Sequence, residues 1–250
     1  MQSLRFIAWP DTHIPQHDPS AVDVAAQVVE WWSPELLVIL GDFLDCTPVS
    51  HWLKNKRKTT EGLRLRDDFN AGNRLLDKIT KSINHLVYLE GNHEDWIWDA
   101  IEANPEFEGL IDLSLGLKFE ARRANHKVTH LRYGKCYKQG HLTFTHGIYT
   151  GKHHAARHVE AYGRNVIYGH LHDVQTHVKV CPIDVNEKHM GISMGCLCNK
   201  NPQFMENKPN NWCHCVGVGE FRADGGFNVY PVVICNGVAS FGGKTFRSKV

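Results

Sequence analysis

The stretch Leu36-Leu-Val-Ile-Leu40-Gly41-Asp42-Phe-Leu-Asp45 decides the fold. Its first five residues are apolar without alternation, which suits a strand buried on both faces, and Gly41 stops the run just before two carboxylates. Upstream, Leu4 to Ala8 is another short apolar run that closes at Pro10, and Ala21 to Trp32 carries apolar residues at helical spacing, with Ser20 as the expected N-cap. Strand, helix and strand in that order read as a parallel βαβ unit. Downstream, a polar helical stretch from Gly62 to Lys81 leads to the strand His85 to Leu89, and Glu94 to Ala103 reads as a helix. Pro105 to Asn125 reads as an irregular connection with short helices. Strands are then expected at Val128–Leu131, Leu142–Thr145, Val166–Tyr168, Val174–Val180, Val216–Phe221 and Phe227–Val233, with a helix from Lys152 to Tyr162 between them. The expected architecture is α/β, with two packed sheets flanked by helices.

With 250 residues the chain is long enough for one large core, and neither a repeat nor a low-complexity linker divides it, so one domain over 1–250 without a separate cap is expected. Charged residues are 22% and hydrophobic ones 42%, a globular balance. No apolar run approaches the roughly 20 residues of a membrane span, and Met1-Gln-Ser-Leu-Arg5 has no signal-peptide character, so a cytoplasmic location without membrane contact is expected. A net charge of +1 excludes global attraction to nucleic acid; any such binding needs a local patch. Eight cysteines in that setting read as reduced thiols. Cys196-x-Cys198 and Cys213-x-Cys215 are a candidate structural metal site, although their one-residue gap is shorter than usual zinc spacing and also suits packing on one strand face.

Metal-binding side chains recur at the strand ends. In chain order they are Asp11-Thr-His13, Gly41-Asp42-Phe-Leu-Asp45, Gly91-Asn92-His93-Glu94, Thr145-His146-Gly147 and Gly169-His170-Leu-His172. Each stretch alone is weak, because short motifs match by chance. Together they offer carboxylates, imidazoles and an amide at the C-terminal edge of a sheet, where open α/β folds collect ligands. A pair of divalent cations, and with it hydrolysis of a phosphate ester, is the reading they favour.

This ordered set resembles the calcineurin-like metallophosphoesterases, whose pattern runs D-x-H, G-D-x-x-D, G-N-H-[DE], H and G-H-x-H. The match spans Asp11 to His172 with no motif missing. The resemblance implies a four-layer α-β-β-α sandwich, with Asp11, His13 and His172 on a first metal, Asn92, His146 and His170 on a second, and Asp42 bridging. Such donors suit two divalent ions, Mn first, with Fe, Ni or Zn as alternatives. Metals held about 3.5–4 Å apart in this way can orient a bridging hydroxide for attack on phosphorus. The resemblance also implies that His93 protonates the leaving group and that Asp45 accepts a hydrogen bond from His93 and orients it.

Phosphoprotein phosphatases of this superfamily carry G-D-x-x-D-R-G, where the arginine grips a phosphate dianion; Cys46 and Thr47 stand there instead. The paired G-H-x-H is shared with cyclic-nucleotide phosphodiesterases and repair nucleases, so a phosphodiester is favoured over a phosphomonoester. A nucleotide or nucleic acid is then the candidate partner, with a DNA exonuclease or endonuclease as the alternative activity. A non-catalytic metal-site scaffold, as in the retromer subunit of this fold, is a further alternative, but that subunit lacks the catalytic His that His93 matches. Asn92, His51 and Lys54 are candidate substrate contacts, as are His153 and His154, which follow His146 on a helix. For the basic run 51–58 and for that helix, an ordinary solvated face is the default reading.

Overall fold

The computed structural model describes residues 3–184, 187–202 and 205–250, and of Arg57 only the backbone. The described strands are β1 (Leu4–Trp9), β2 (Leu36–Ile39), β3 (His85–Leu89), β4 (Lys127–Leu131), β5 (Tyr137–Gln139), β6 (Leu142–Thr145), β7 (Asn165–Tyr168), β8 (Val174–Val180), β9 (Lys188–Met194), β10 (Cys215–Phe221), β11 (Phe227–Val233), β12 (Val238–Phe241) and β13 (Lys244–Arg247). The helices are α1 (Pro19–Trp32), α2 (Arg57–Thr60), α3 (Leu65–Ile79), α4 (Asn92–Ala103), α5 (Leu113–Gly116), α6 (Phe119–Arg122) and α7 (His154–Tyr162). Short 3₁₀ turns occupy Thr47–Val49, His51–Leu53 and Pro105–Phe107.

One sheet has the order β11-β10-β1-β2-β3-β4 and the other β5-β6-β7-β9-β8, while β12 and β13 form a hairpin. Both sheets are mixed. β1 to β4 run parallel with β10 antiparallel beside β1, and in the second sheet β6, β7 and β9 run parallel with antiparallel neighbours at both margins.

Strand alternation explains the layering. In β1 to β3, Ile7, Trp9, Leu37, Ile39, Leu86 and Tyr88 pack with residues of α1, α3 and α4. The intervening Phe6, Ala8, Leu36, Val38, Val87 and Leu89 pack instead against Phe144, Ile167, Ile192 and Met194 of the second sheet. Strands covered on both faces have no polar alternation, which is why Leu36 to Leu40 reads as continuous apolar sequence. α7 lies on β7, β8 and β9, so helices cover both outer faces and the expected α-β-β-α order is observed. Truncating one such core residue, for example Leu37→Ala, typically costs about 2–5 kcal/mol.

Several boundaries differ from the sequence reading. α1 is capped by Asp18, whose Oδ1 accepts from the Ala21 N–H at 2.9 Å, with Pro19 in the first turn, so Ser20 lies inside the helix. α4 begins at Asn92 and α7 at His154, the stretch from Gly62 to Lys81 holds α3 at Leu65–Ile79, and α2 lies ahead of that stretch, outside the expected helices. β5, β9, β12 and β13 were not expected. β5 is three residues long, and Lys188-His-Met-Gly-Ile-Ser-Met194 breaks its apolar pattern with polar residues and a glycine. Among the described residues no helix is long and apolar enough to cross a membrane.

Candidate metal centre

Register brings the motifs together. Ala8 pairs with Val38, and Val38 with Val87, so β1, β2 and β3 end side by side and release Asp11, Asp42 and Asn92 at one edge. In the second sheet Thr145 pairs with Tyr168, which places His146 and Gly169-His170 side by side. Five side-chain bearers at this edge, His13, Asp42, Cys46, His170 and His172, have φ between 47° and 71°. A non-glycine residue with positive φ costs about 1–3 kcal/mol and persists where surrounding contacts enforce it, typically at functional sites.

Glycine is required at two of these turns because backbone and carboxylate touch. A Cβ on Gly91 would collide with Asp42 Oδ1, and one on Gly169 with Asp11 Oδ2. The His170 N–H donates to both oxygens of Asp11, at 2.8 and 3.0 Å, and the His93 N–H donates to Asp42 Oδ1 at 2.9 Å. Both carboxylates are thereby oriented by backbone of a neighbouring motif.

Three imidazoles share one arrangement. His13 Nδ1 lies 3.1 Å from Asp45 Oδ1, His146 Nδ1 lies 2.9 Å from the Leu40 carbonyl, and His172 Nδ1 lies 3.7 Å from Cys198 Sγ. The Asp45 carboxylate and the Leu40 carbonyl are acceptors behind Nδ1 of His13 and His146, which favours the Nδ1–H tautomer there and leaves the Nε2 lone pair pointing inward, as in metal-bound histidines. Inward, His13 Nε2 and His172 Nε2 face each other at 3.1 Å, and His172 Nε2 is 3.4 Å from Asp11 Oδ1. His146 Nε2 meets Asn92 Oδ1 at 3.1 Å, His170 Nδ1 at 3.2 Å and Asp42 Oδ2 at 3.4 Å. One nitrogen cannot donate to three acceptors; lone pairs converging on one space are what a cation satisfies.

The donor sets overlap. Asp11, His13 and Asp42 could hold one ion, and Asp42, His146 and His170 another, with Asp42 common to both. His13, His172 and Cys198 form a third such group, and His13, Asp45 and His93 a fourth. The residues present therefore fit divalent metal. Electrostatics agree with a site built for positive charge. Burial acts to raise the Asp42 carboxyl, but His146, His93 and His13 outweigh it and hold it well below the usual range. Burial acts downward on His146 and His93, yet Asp42, with Asp11 for the former and Asp45 for the latter, carries each to about 9. Burial and the neighbouring His146 charge push His170 down to about 4, which leaves it a neutral donor.

His93 sits apart from the converging lone pairs. Its Nδ1 bonds the Asp45 backbone carbonyl at 2.8 Å, while the Asp45 carboxylate is farther, at 3.5 Å, and closer to His13. Asp45 thus meets His93 through its main chain and, at the longer distance, through its carboxylate, which also serves His13 and accepts from the Thr47 hydroxyl. Trp96, one turn along α4, lies against His93 with ring centroids 3.9 Å apart.

The remaining expectations divide. His51, Lys54 and His153 are exposed. His154 is buried, its Nε2 contacting Asp173 Oδ2 at 3.0 Å and its Nδ1 the Tyr168 hydroxyl at 2.7 Å. His158 is buried too, and its Nε2 accepts the Ile148 N–H at 3.2 Å, tying down the loop after His146. The four thiols do not converge as a metal site among the described residues: Cys215 lies 3.9 Å from Met194 sulfur, and Cys198 turns to His172.

Two supports escaped the sequence reading. Glu94 is fully buried and accepts from the Asp42, Leu44 and Gly91 N–H groups and the Tyr88 hydroxyl, at 2.8–3.0 Å. Its spacing from Gly91 is that of a capping box, a signal present in the sequence. Glu90 is also buried, and collects Trp98, His130, Arg132 and the Tyr133 N–H just before the Asn92 turn. Cys198 had no such signal; its place beside His172 depends on a contact between distant segments.

No family model and no curated protein matches this chain. Among solved structures it is similar to Vps29 of Chaetomium thermophilum, at 9% identity over 92% of this chain and 97% of that one, with a TM-score of 0.42. It is also similar to TT1561 of Thermus thermophilus, at 9% identity over 92% of this chain and 99% of that one, with a TM-score of 0.36.

Proposed function

We propose that this chain is a calcineurin-like metallophosphoesterase that hydrolyses a phosphodiester with two divalent cations, Mn being the favoured metal. The observation that carries this reading is the set of three imidazoles with Nδ1 engaged behind and Nε2 converging on Asp11, Asp42 and Asn92. Asp11, His13 and His172 would hold one ion, Asn92, His146 and His170 the other, and Asp42 both. When bound, such a pair supplies Lewis acidity and lowers the pKa of water to near neutrality.

The protein's own groups supply the rest. With Nδ1 committed to the Asp45 carbonyl, His93 presents Nε2 as its free end, and the neighbouring carboxylates keep the ring protonated at neutral pH. As the P–O bond to the leaving group breaks, Nε2–H transfers its proton to the departing oxygen, and His93 becomes neutral. Trp96 covers one face of the ring and keeps water from it. A diester is favoured because Cys46, at the place of the phosphatase arginine, is fully buried and offers no charge to a phosphate dianion.

Purified protein supplied with Mn²⁺ should hydrolyse bis(p-nitrophenyl) phosphate faster than p-nitrophenyl phosphate; the opposite preference refutes the diester reading. His93→Ala should slow esters with poor leaving groups by about 10²- to 10⁴-fold and p-nitrophenyl esters far less. Equal losses on both would remove His93 from the role of acid.

A further inference from the structure

The segment that follows Asp45 ends in an unusual surface. Trp52, on the 3₁₀ turn His51–Leu53, is 73% exposed. Its ring is tilted on His51 with centroids 4.5 Å apart, His51 meets Trp96 edge-on at 5.5 Å, and Trp96 lies on His93 at 3.9 Å. A ladder of four rings thus runs from the proposed acid to the surface, anchored by the buried Trp96 and open at Trp52. An indole left in water forgoes about 25 cal/mol for each Å² of apolar surface, and most of this one is left so.

Cations accompany it. Lys54, Lys56 and Lys58 follow Trp52 and are exposed, while the lysine ion pairs among the described residues belong to Lys78 and Lys208. A chain with a net charge of +1 has no general attraction for polyanions, so three exposed lysines at alternate positions from Lys54 to Lys58, directly after an open indole, are a local concentration of positive charge. Alternating aromatic faces and cations are what a polynucleotide strand needs: bases stack and phosphates pair. A duplex hides its base faces, so the strand has to be single.

We propose that Trp52 stacks an unpaired nucleobase and that Lys54, Lys56 and Lys58 hold phosphates of the same strand, which makes single-stranded nucleic acid the substrate of the centre. This rests on the phosphodiesterase reading for the chemistry but not for the binding.

Fluorescence anisotropy in EDTA, where no turnover occurs, tests it with labelled oligothymidylate and oligouridylate of about 12 nucleotides, within the range that single-strand-binding sites cover. An abasic strand of equal length and a duplex are the comparisons. The wild-type chain should bind the base-bearing strand more tightly than the abasic strand or the duplex, and the two sugars separate DNA from RNA. Trp52→Ala should weaken the base-bearing strand about 10-fold and leave the abasic strand unchanged, and Trp52→Phe should restore most of the loss. Replacing the three lysines by alanine should weaken both strands and lower the salt slope by about 2. Equal affinity for abasic and normal strands, an unchanged Trp52→Ala, or preference for duplex would overturn the inference. Any of those outcomes alongside bis(p-nitrophenyl) phosphate hydrolysis leaves the proposed function standing. Strand binding through Trp52 by a chain that cleaves no ester overturns the hydrolase reading instead.

Discussion

Glu94→Gln is the most demanding perturbation of the centre, because it exchanges one atom of a residue that is not itself a proposed ligand. Glu94 Oε2 accepts from the Asp42 and Gly91 N–H groups, and Oε1 from the Leu44 N–H and the Tyr88 hydroxyl. Glutamine keeps one acceptor, so whichever way its amide turns, an NH₂ meets two donors. Two hydrogen bonds to a charged group contribute about 1.5–3 kcal/mol each, a loss of about 3–6 kcal/mol. Burial and the Asp42 charge both act to raise the Glu94 carboxyl, and the neutral amide is relieved of them. The net cost should be about 2–4 kcal/mol, or about 10 °C in Tm for a chain of this size. Because the same N–H groups hold Asp42 and the turn before Asn92, Mn²⁺ affinity should also fall about 10- to 100-fold. Urea unfolding in EDTA measures the first effect, and calorimetric titration with Mn²⁺ the second. A variant within about 1 kcal/mol of wild type, close to the usual scatter of surface substitutions, with unchanged Mn²⁺ affinity would refute the account.

Three other outcomes follow from the same geometry. Gly169→Ala pushes a methyl into Asp11 Oδ2, and should abolish Mn²⁺-dependent hydrolysis while circular dichroism shows the fold retained. Mn²⁺ at about 100 times its Kd should add about 2.7 kcal/mol of stability, a Tm rise of roughly 5–10 °C, reversed by EDTA and absent in Asp42→Asn. Asp68 carries a buried Oδ2 without a partner among the described residues, and burial with the Asp45 and Asp67 charges raises its carboxyl to about 7. The unfolded chain therefore releases this proton first, so stability should fall as pH rises from about 4 to 7 and level off above, as the linkage requires. Asp68→Asn should flatten that window and add about 2 kcal/mol at about pH 8, discounted for solvent screening; denaturant melts across pH would show whether it does.

Much of this centre is legible in the sequence. Leu36 to Leu40 announces a strand buried on both faces because two layers cover it, and the Gly-Asp and Gly-Asn turns mark where such strands end. The seven proposed ligands lie at those ends because parallel strands in register must finish together. Residues whose role depends on neighbours far along the chain are not legible in this way. His154 sits on the helix that the sequence offers to a substrate, yet Asp173 and Tyr168 draw it into the interior. Asp45 occupies the expected motif position, but the αL turn at Cys46 brings its carbonyl, not its carboxylate, closest to His93.

The order of apolar runs and ligand-bearing turns is local information, carried by backbone preference and by which side chains can meet a metal, so the sequence by itself determined the layered sheets and the proposed donor set. Which nitrogen of each histidine faces inward, which acid steadies which ring, and how a surface tryptophan is linked through Trp96 to His93 were decided only by the tertiary structure. Those properties belong to distances between segments as remote as Asp11 and His172, and a hydrogen bond or a ring contact exists only once packing has set that distance.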